Sequence, residues 1–147
     1  MHRRLVTVGL VAAAMVSVAA GAVIRASSPS APLVVVMTND AQNNQIQVYD
    51  GVSHALVQTI STHGKGGVGG NARGVKQYDG RLVAAVNFGS GNVAIFRRVH
   101  NRLQFVDTVA TTSAPVSVDF GNDHLYVAGV STVDSFAIHG KTVGALD

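Results

Sequence analysis

Residues 81–98 read RLVAAVNFGSGNVAIFRR. Two apolar runs, Leu82–Val86 and Val93–Phe96, flank the small-residue stretch Phe88-Gly89-Ser90-Gly91-Asn92. Runs rich in Val, Ile and aromatics bounded by Gly, Ser and Asn read as strands joined by a turn. Outward from this hairpin the same punctuation recurs: LVVVMTN (33–39), QIQVYD (45–50) and ALVQTIST (55–62) before it, RLQFVDTVAT (102–111), HLYVAGV (124–130) and VDSFAIHG (133–140) after it. No segment of ten or more residues beyond Leu33 carries the 3.6-residue apolar spacing of a helix. The expected class is all-β.

The strand sets are copies of one another. LVVVMTN and RLVAAVN align at an offset of 48, each ending in Asn (Asn39, Asn87). Val48-Tyr49 and Ile95-Phe96 align at 47, Phe136 repeats the aromatic, and Leu82 and Leu125 align at 43. A period in the forties with three or four short strands per unit is the mark of propeller blades. On this reading the apolar first strand of each unit is an inner strand buried on both faces, and the more polar later strands (Gln45, Gln47, Arg97, Arg98, Asp107) lie at the rim.

The stretches VVVMTNDAQNNQIQVYD, RLVAAVNFGSGNVAIFRR and APVSVDFGNDHLYVAGVSTVDSFAI resemble successive blades of secreted lactonase-like propellers, the group that includes 6-phosphogluconolactonase-type and YVTN-like proteins. The resemblance spans Leu33 to His139 and rests on strand–Asn–turn–strand–aromatic units, as in Asn87 to Phe96, and on the Pro115–Val118 step before the Gly121-Asn122-Asp123 turn. It implies a ring of seven blades, of which this chain covers two and part of a third. Closure takes about four to eight blades. Truncation of a longer product, closure by self-association and a shorter fold built from the same strands are the alternatives, and truncation is the expectation. The resemblance also implies lactone-ring hydrolysis by acidic, His and Arg side chains gathered at the axis.

Residues 1–25 read as a targeting segment. Arg3 and Arg4 precede an uncharged apolar run, residues 5–24, followed by Arg25 and ASSPSAP, with Ala20-Gly21-Ala22 as a small-x-small cleavage site. Uncleaved, the run is long enough for a membrane anchor; either way the remainder is expected outside the cytoplasm, secreted or extracytoplasmic. The domain division is therefore 1–25 signal or anchor, 26–32 linker, and 33–147 partial propeller. The formal charge of +3 falls to +1 without Arg3 and Arg4, which gives no support for a nucleic-acid partner. The absence of cysteine excludes a disulfide framework and thiolate metal sites.

Candidate chemistry is thin. Gly64–Gly69, GKGGVG, resembles a phosphate cradle, but Gly70 and Asn71 stand where G-x-x-x-x-G-K-[ST] requires Lys and a hydroxyl. The following NARGVKQYDGRLVAAV leads through an Asp79-Gly80 turn into a strand, not a helix, so the glycines are expected to make a flexible connection. Ser90 lacks the G-x-S-x-G frame of a nucleophile elbow. None of the six histidines pairs at i, i+4, His54, His100 and His139 fall near turns between outer strands, and Asp40 with Asn39 and Asn43 lacks the loop pattern of a calcium site, so no metal is expected unless distant blades converge, and no other cofactor is expected. The basic run 96–103 reads as a hairpin with a charged solvent face. The chain has no Glu, so a carboxylate base at an axial mouth could only be an Asp, with Asp40 the nearest; His63, Arg73 and Asn87 are the other catalytic candidates. The expected role is a binding or interaction surface for a small molecule, carbohydrate or lactone. The alternative is a lactone hydrolase complete only as an oligomer or in a longer chain.

Overall fold

The computed structural model describes residues 31–67, 72–140 and 142–147. The targeting segment, most of the linker and the second half of the Gly-rich stretch (Val68–Asn71) lie outside the described residues. Among the described residues, no helix is long and apolar enough to cross a membrane.

The fold is all-β. Three antiparallel meander sheets follow one another along the chain. The first holds β1 (Leu33–Met37), β2 (Gln45–Asp50) and β3 (Leu56–Ser61). The middle sheet holds β4 (Val75–Tyr78), β5 (Leu82–Asn87), β6 (Asn92–Val99) and β7 (Arg102–Ala110). The third holds β8 (Pro115–Gly121), β9 (His124–Gly129), β10 (Val133–His139) and β11 (Thr142–Leu146). A 3-10 turn, Phe88–Ser90, joins β5 to β6 and ends on Gly91 in the left-handed region (φ 61°), a conformation that suits glycine.

Strand alternation explains the stacking. On the middle sheet, Leu82, Ala84, Val86, Val93 and Ile95 point one way and pack against Val118, Leu125, Val127 and Phe136 of the third sheet. Val83, Ala85, Ala94 and Phe96 point the other way, and with Leu103 pack against Ile46 and Val48 of the first sheet. Each fully buried Phe contributes about 3 kcal/mol relative to exposure, so Phe136 and Phe96 anchor one interface apiece.

The repeat is visible in the register. Val35↔Val48 and Met37↔Ile46 of the first sheet face the middle sheet as Ala84↔Ile95 and Val86↔Val93 face the third. The irregularity after Val48 in β2–β3 recurs after Ile95 in β6–β7. The shift is therefore 49 residues for β1 onto β5, not the 48 expected from the matching Asn39 and Asn87, so that Thr38 is the counterpart of Asn87; it is 47 for β2 onto β6, because the intervening turn is two residues longer in the first sheet.

Two expectations need correction. The apolar strand β5 is second in its sheet, not first: β4, with sequence VKQY, is the edge strand. All of β5 is buried because a sheet covers each face, whereas its counterpart β1 leaves Val34 and Val36 49% and 41% exposed, having a neighbouring sheet on one face only among the described residues. The strands β4, β8 and β11 lie outside the strand set expected from sequence; β4 is four residues of largely polar sequence, and β11 carries a glycine.

Candidate functional site

The four sequence candidates fall into two places. Asp40 and Asn87 belong to the turn end of the interface between the first and middle sheets. Asp40 Oδ1 accepts the N–H groups of Gln42 and Asn43, both at 2.8 Å. Those amides, Asn43 first, hold its carboxyl below the usual range, which makes it a poor base at neutral pH.

Asn87 is fully buried. Its Oδ1 accepts Asn44 Nδ2 at 2.9 Å and Thr62 Oγ1 at 2.7 Å; its Nδ2 donates to Thr62 O at 3.1 Å and to Asn92 Oδ1 at 2.9 Å. A side-chain amide offers two donors and an acceptor with two lone pairs, so the fold uses all of Asn87. Asn44 Nδ2 also donates to Val86 O at 3.0 Å, which locks the two sheets together where a hydrophobic contact could not satisfy the backbone.

The Gly-rich stretch explains itself here. Asn44 N–H donates to Gly64 O at 3.0 Å, Lys65 N–H to Ser90 Oγ at 2.8 Å, Gly66 N–H to Asp40 O at 2.8 Å, and Gly67 N–H to Asn39 O at 3.0 Å. Gly89 N–H returns a bond to Lys65 O at 2.9 Å. Residues 64–67 are thus a strap laid across the β1–β2 and β5–β6 turns, pinned where the sequence leads one to expect a flexible connection. The amides of Lys65, Gly66 and Gly67 are thus spent on protein oxygens rather than presented to a phosphate. A Cβ at Gly64 would lie 2.3 Å from Asn87 Nδ2, and one at Gly66 2.6 Å from the Asn39 carbonyl carbon; close approach is what requires glycine. The Ser90 hydroxyl oxygen is engaged as an acceptor in this strap.

His63 follows Thr62 in sequence, but its ring lies on Phe105 of β7, centroids 4.1 Å apart. Arg73 lies at the other interface. Its carbonyl accepts Val118 N–H at 3.1 Å and its guanidinium is 3.8 Å from Asp119 Oδ2. Asp40 and Asn87 therefore share the turn end of one interface, the first exposed in its own turn and the second buried, while the His63 ring and the Arg73 head lie elsewhere. His54 and His100 sit in the β2–β3 and β6–β7 turns, and His139 ends β10.

The groups that sequence reasoning missed line the edge strands β4 and β8. Lys76 Nζ is 2.9 Å from Asp119 Oδ1. That bond, followed by the Phe120 amide, holds the Asp119 carboxyl low. Tyr78 Oη donates to Asp123 Oδ1 at 2.7 Å, which raises the phenol pKa. The alternation Lys76-Gln77-Tyr78 is the available signal, too short to stand out between two glycine turns.

On the third sheet, His124 Nε2 is 3.3 Å from Asp147 Oδ2, and Ser135 Oγ donates to the same oxygen at 3.3 Å. In a nucleophilic triad the imidazole stands between hydroxyl and carboxylate; here the carboxylate stands between, so the imidazole is not placed to take the Ser135 proton. Among the described residues, no three His or Asp side chains gather to hold a metal ion.

A cleft of about 530 Å³ opens between β1 and β4, lined by Leu33, Val35, Val75, Val83 and Leu103 with Lys76, Gln77 and Arg98. An apolar floor with a few polar groups at this size suits a ligand. The Arg98 guanidinium donates to His100 O at 2.8 Å and to Ala31 O. No protein-family model, no curated protein and no solved structure matches this chain.

Proposed function

We propose that the chain is an exported segment of lactonase-like propeller repeats that serves as a binding and interaction module, without a complete catalytic set of its own. The repeat carries the fold half of this reading: three meander sheets stack face to face, with the β2–β3 irregularity recurring at its counterpart in β6–β7. The observation that carries the functional half is the use made of the polar candidates. Asn87 is saturated by Asn44, Thr62 and Asn92, Asp40 caps its own turn, and His63 and Arg73 diverge to Phe105 and Asp119. The cleft beside β1 is the surface this reading assigns to binding.

A lactone-hydrolysis assay on the purified, assembled protein tests the functional half. No turnover above the uncatalysed rate is expected. Turnover lost in His63→Ala or Arg73→Ala would instead identify a lactone hydrolase working as an oligomer or within a longer chain. Sequencing the mature N-terminus tests export: a start just after Ala22 is expected, and an intact Met1 with membrane association would mean an anchored surface protein.

A further inference from the structure

We propose that the edge of β1 left unpaired among the described residues, with the cleft beside it, accepts an extended acidic peptide strand from a different protein. The inference rests on the binding-module reading and names the class of partner.

Three observations converge on this edge. The first is the comparison among sheets: β5 is flanked by β4 and β9 by β8, whereas among the described residues β1 pairs with β2 alone. The second is the direction of the β1 backbone. Thr38 N–H donates to Gln45 O and Gly51 N–H to Pro32 O, and antiparallel hydrogen-bonded pairs alternate along a strand. Leu33, Val35 and Met37 therefore aim their N–H and C=O groups away from β2, toward the cleft. The counterpart of Met37 in the middle sheet, Val86, donates its N–H to Gly74 O at 2.9 Å, in the segment that leads into β4. The third is chemistry: the cleft floor is apolar, and of the two charged residues that line it, both cations, Lys76 has its ammonium on Asp119, which leaves Arg98 as the cleft's charge.

An added strand gains main-chain hydrogen bonds along β1, while its alternate side chains fill the cleft, the two sources of affinity and specificity in strand addition. Its apolar side chains would lie among Leu33, Val35, Val75 and Val83. Asp119 already takes one side of Lys76, so Arg98 is the principal partner for the carboxylate of the incoming strand. Arg98 has donors beyond the two bonds it makes to Ala31 and His100. The third sheet displays a strand of this type: β8, PVSVDFG, places Val118 and Phe120 in a sheet interface and Asp119 against a lysine.

The probe is a fluorescent synthetic peptide of residues 115–121, titrated into the full chain and read by anisotropy. Saturable binding is expected. Arg98→Glu should weaken it at least tenfold, and a peptide carrying Lys in place of Asp119 should recover most of that loss on the Arg98→Glu protein. Val35→Pro should weaken binding similarly, since it removes an edge N–H that β2 does not use; an unchanged melting temperature shows that either variant is folded. Absence of saturable binding, or affinity indifferent to both variants, overturns the proposal. Hydrogen exchange on the peptide-free chain is an independent check: exchange-competent Val35 and Met37 amides are expected, and protected ones would show the edge already occupied by the chain itself. Concentration-dependent self-association abolished by Val35→Pro would make the occupant a second copy, again against the proposal. Loss of peptide binding leaves the lactone assay untouched, so the two readings fail separately.

Discussion

The two sheet–sheet interfaces use the same face packing and finish differently. Between the middle and third sheets, β8 lies along β4 and β5, Asp119 reaches Lys76 and Arg73, and Tyr78 reaches Asp123. That interface is closed at the edge-strand side by paired charges. Between the first and middle sheets the closure is at the turn end, by Asn44, Thr62, Asn87 and the strap 64–67, with Gln58 bonded both ways to the Leu103 backbone at the outer strands. Its edge-strand side is the open cleft. Face alternation thus sets how the sheets stack, and polar groups at the margins decide where the stack is sealed.

The two interfaces should be most sensitive at their apolar centres. Phe136→Ala and Phe96→Ala each remove a fully buried ring from one interface, with an expected cost of about 4 kcal/mol by urea unfolding. If one variant unfolds locally, with hydrogen exchange rising in a single outer sheet, the interfaces are separable; a global loss in both makes the three sheets one cooperative unit. Asn87→Ala should follow at about 3 kcal/mol, because Asn44 Nδ2, Thr62 Oγ1 and Asn92 Oδ1 all lose a partner at a buried turn end. A neutral result would mean water enters the turn end freely. Gly66→Ala should cost about 2 kcal/mol through the forced shift against Asn39, with enhanced proteolysis of the strap as a second readout.

Much of the fold is legible in the sequence because buried β strands advertise themselves. β5 and β6, apolar on both faces, can be read from 81–98 alone, and the repeat supplies β1 and β2 by analogy. The edge strands cannot: β4 is four residues long, and its Lys76 and Gln77 answer to a neighbouring sheet rather than to a local pattern. The site is less legible still. Asn87 stands out in the sequence as a polar strand terminus, but its role depends on Asn44 and Thr62, 43 and 25 residues away. Arg73 stands out for its place after the glycines, and in the fold it flanks Asp119. Glycines 64 and 66 look like a cradle because a backbone approached by another backbone and one approached by a phosphate need the same missing Cβ.

The smallest expected effect is the most specific to the difference between interfaces. Asp119 is lowered first by Lys76, an ion pair across the two edge strands, whereas Asp40 is lowered by the Asn43 and Gln42 amides of its own turn. For each, the folded pKa lies below the unfolded value, so the stabilisation is complete above about pH 5 and is lost as pH falls through about 4 and below. The melting temperature should therefore be flat near neutrality and decline in acid, and Asp119→Asn should make that decline shallower. The two carboxylates differ in salt response. An exposed ion pair is screened when salt shortens the Debye length to about 3 Å at 1 M, while the turn amides stay at hydrogen-bond distance from Asp40 whatever the salt. Adding 1 M salt to the wild type should thus mimic Asp119→Asn in part, and adding it to Asp119→Asn should change the acid decline little. An acid profile unmoved by Asp119→Asn would mean that the edge strands are held by the Tyr78–Asp123 contact and by apolar packing, with the charges as bystanders.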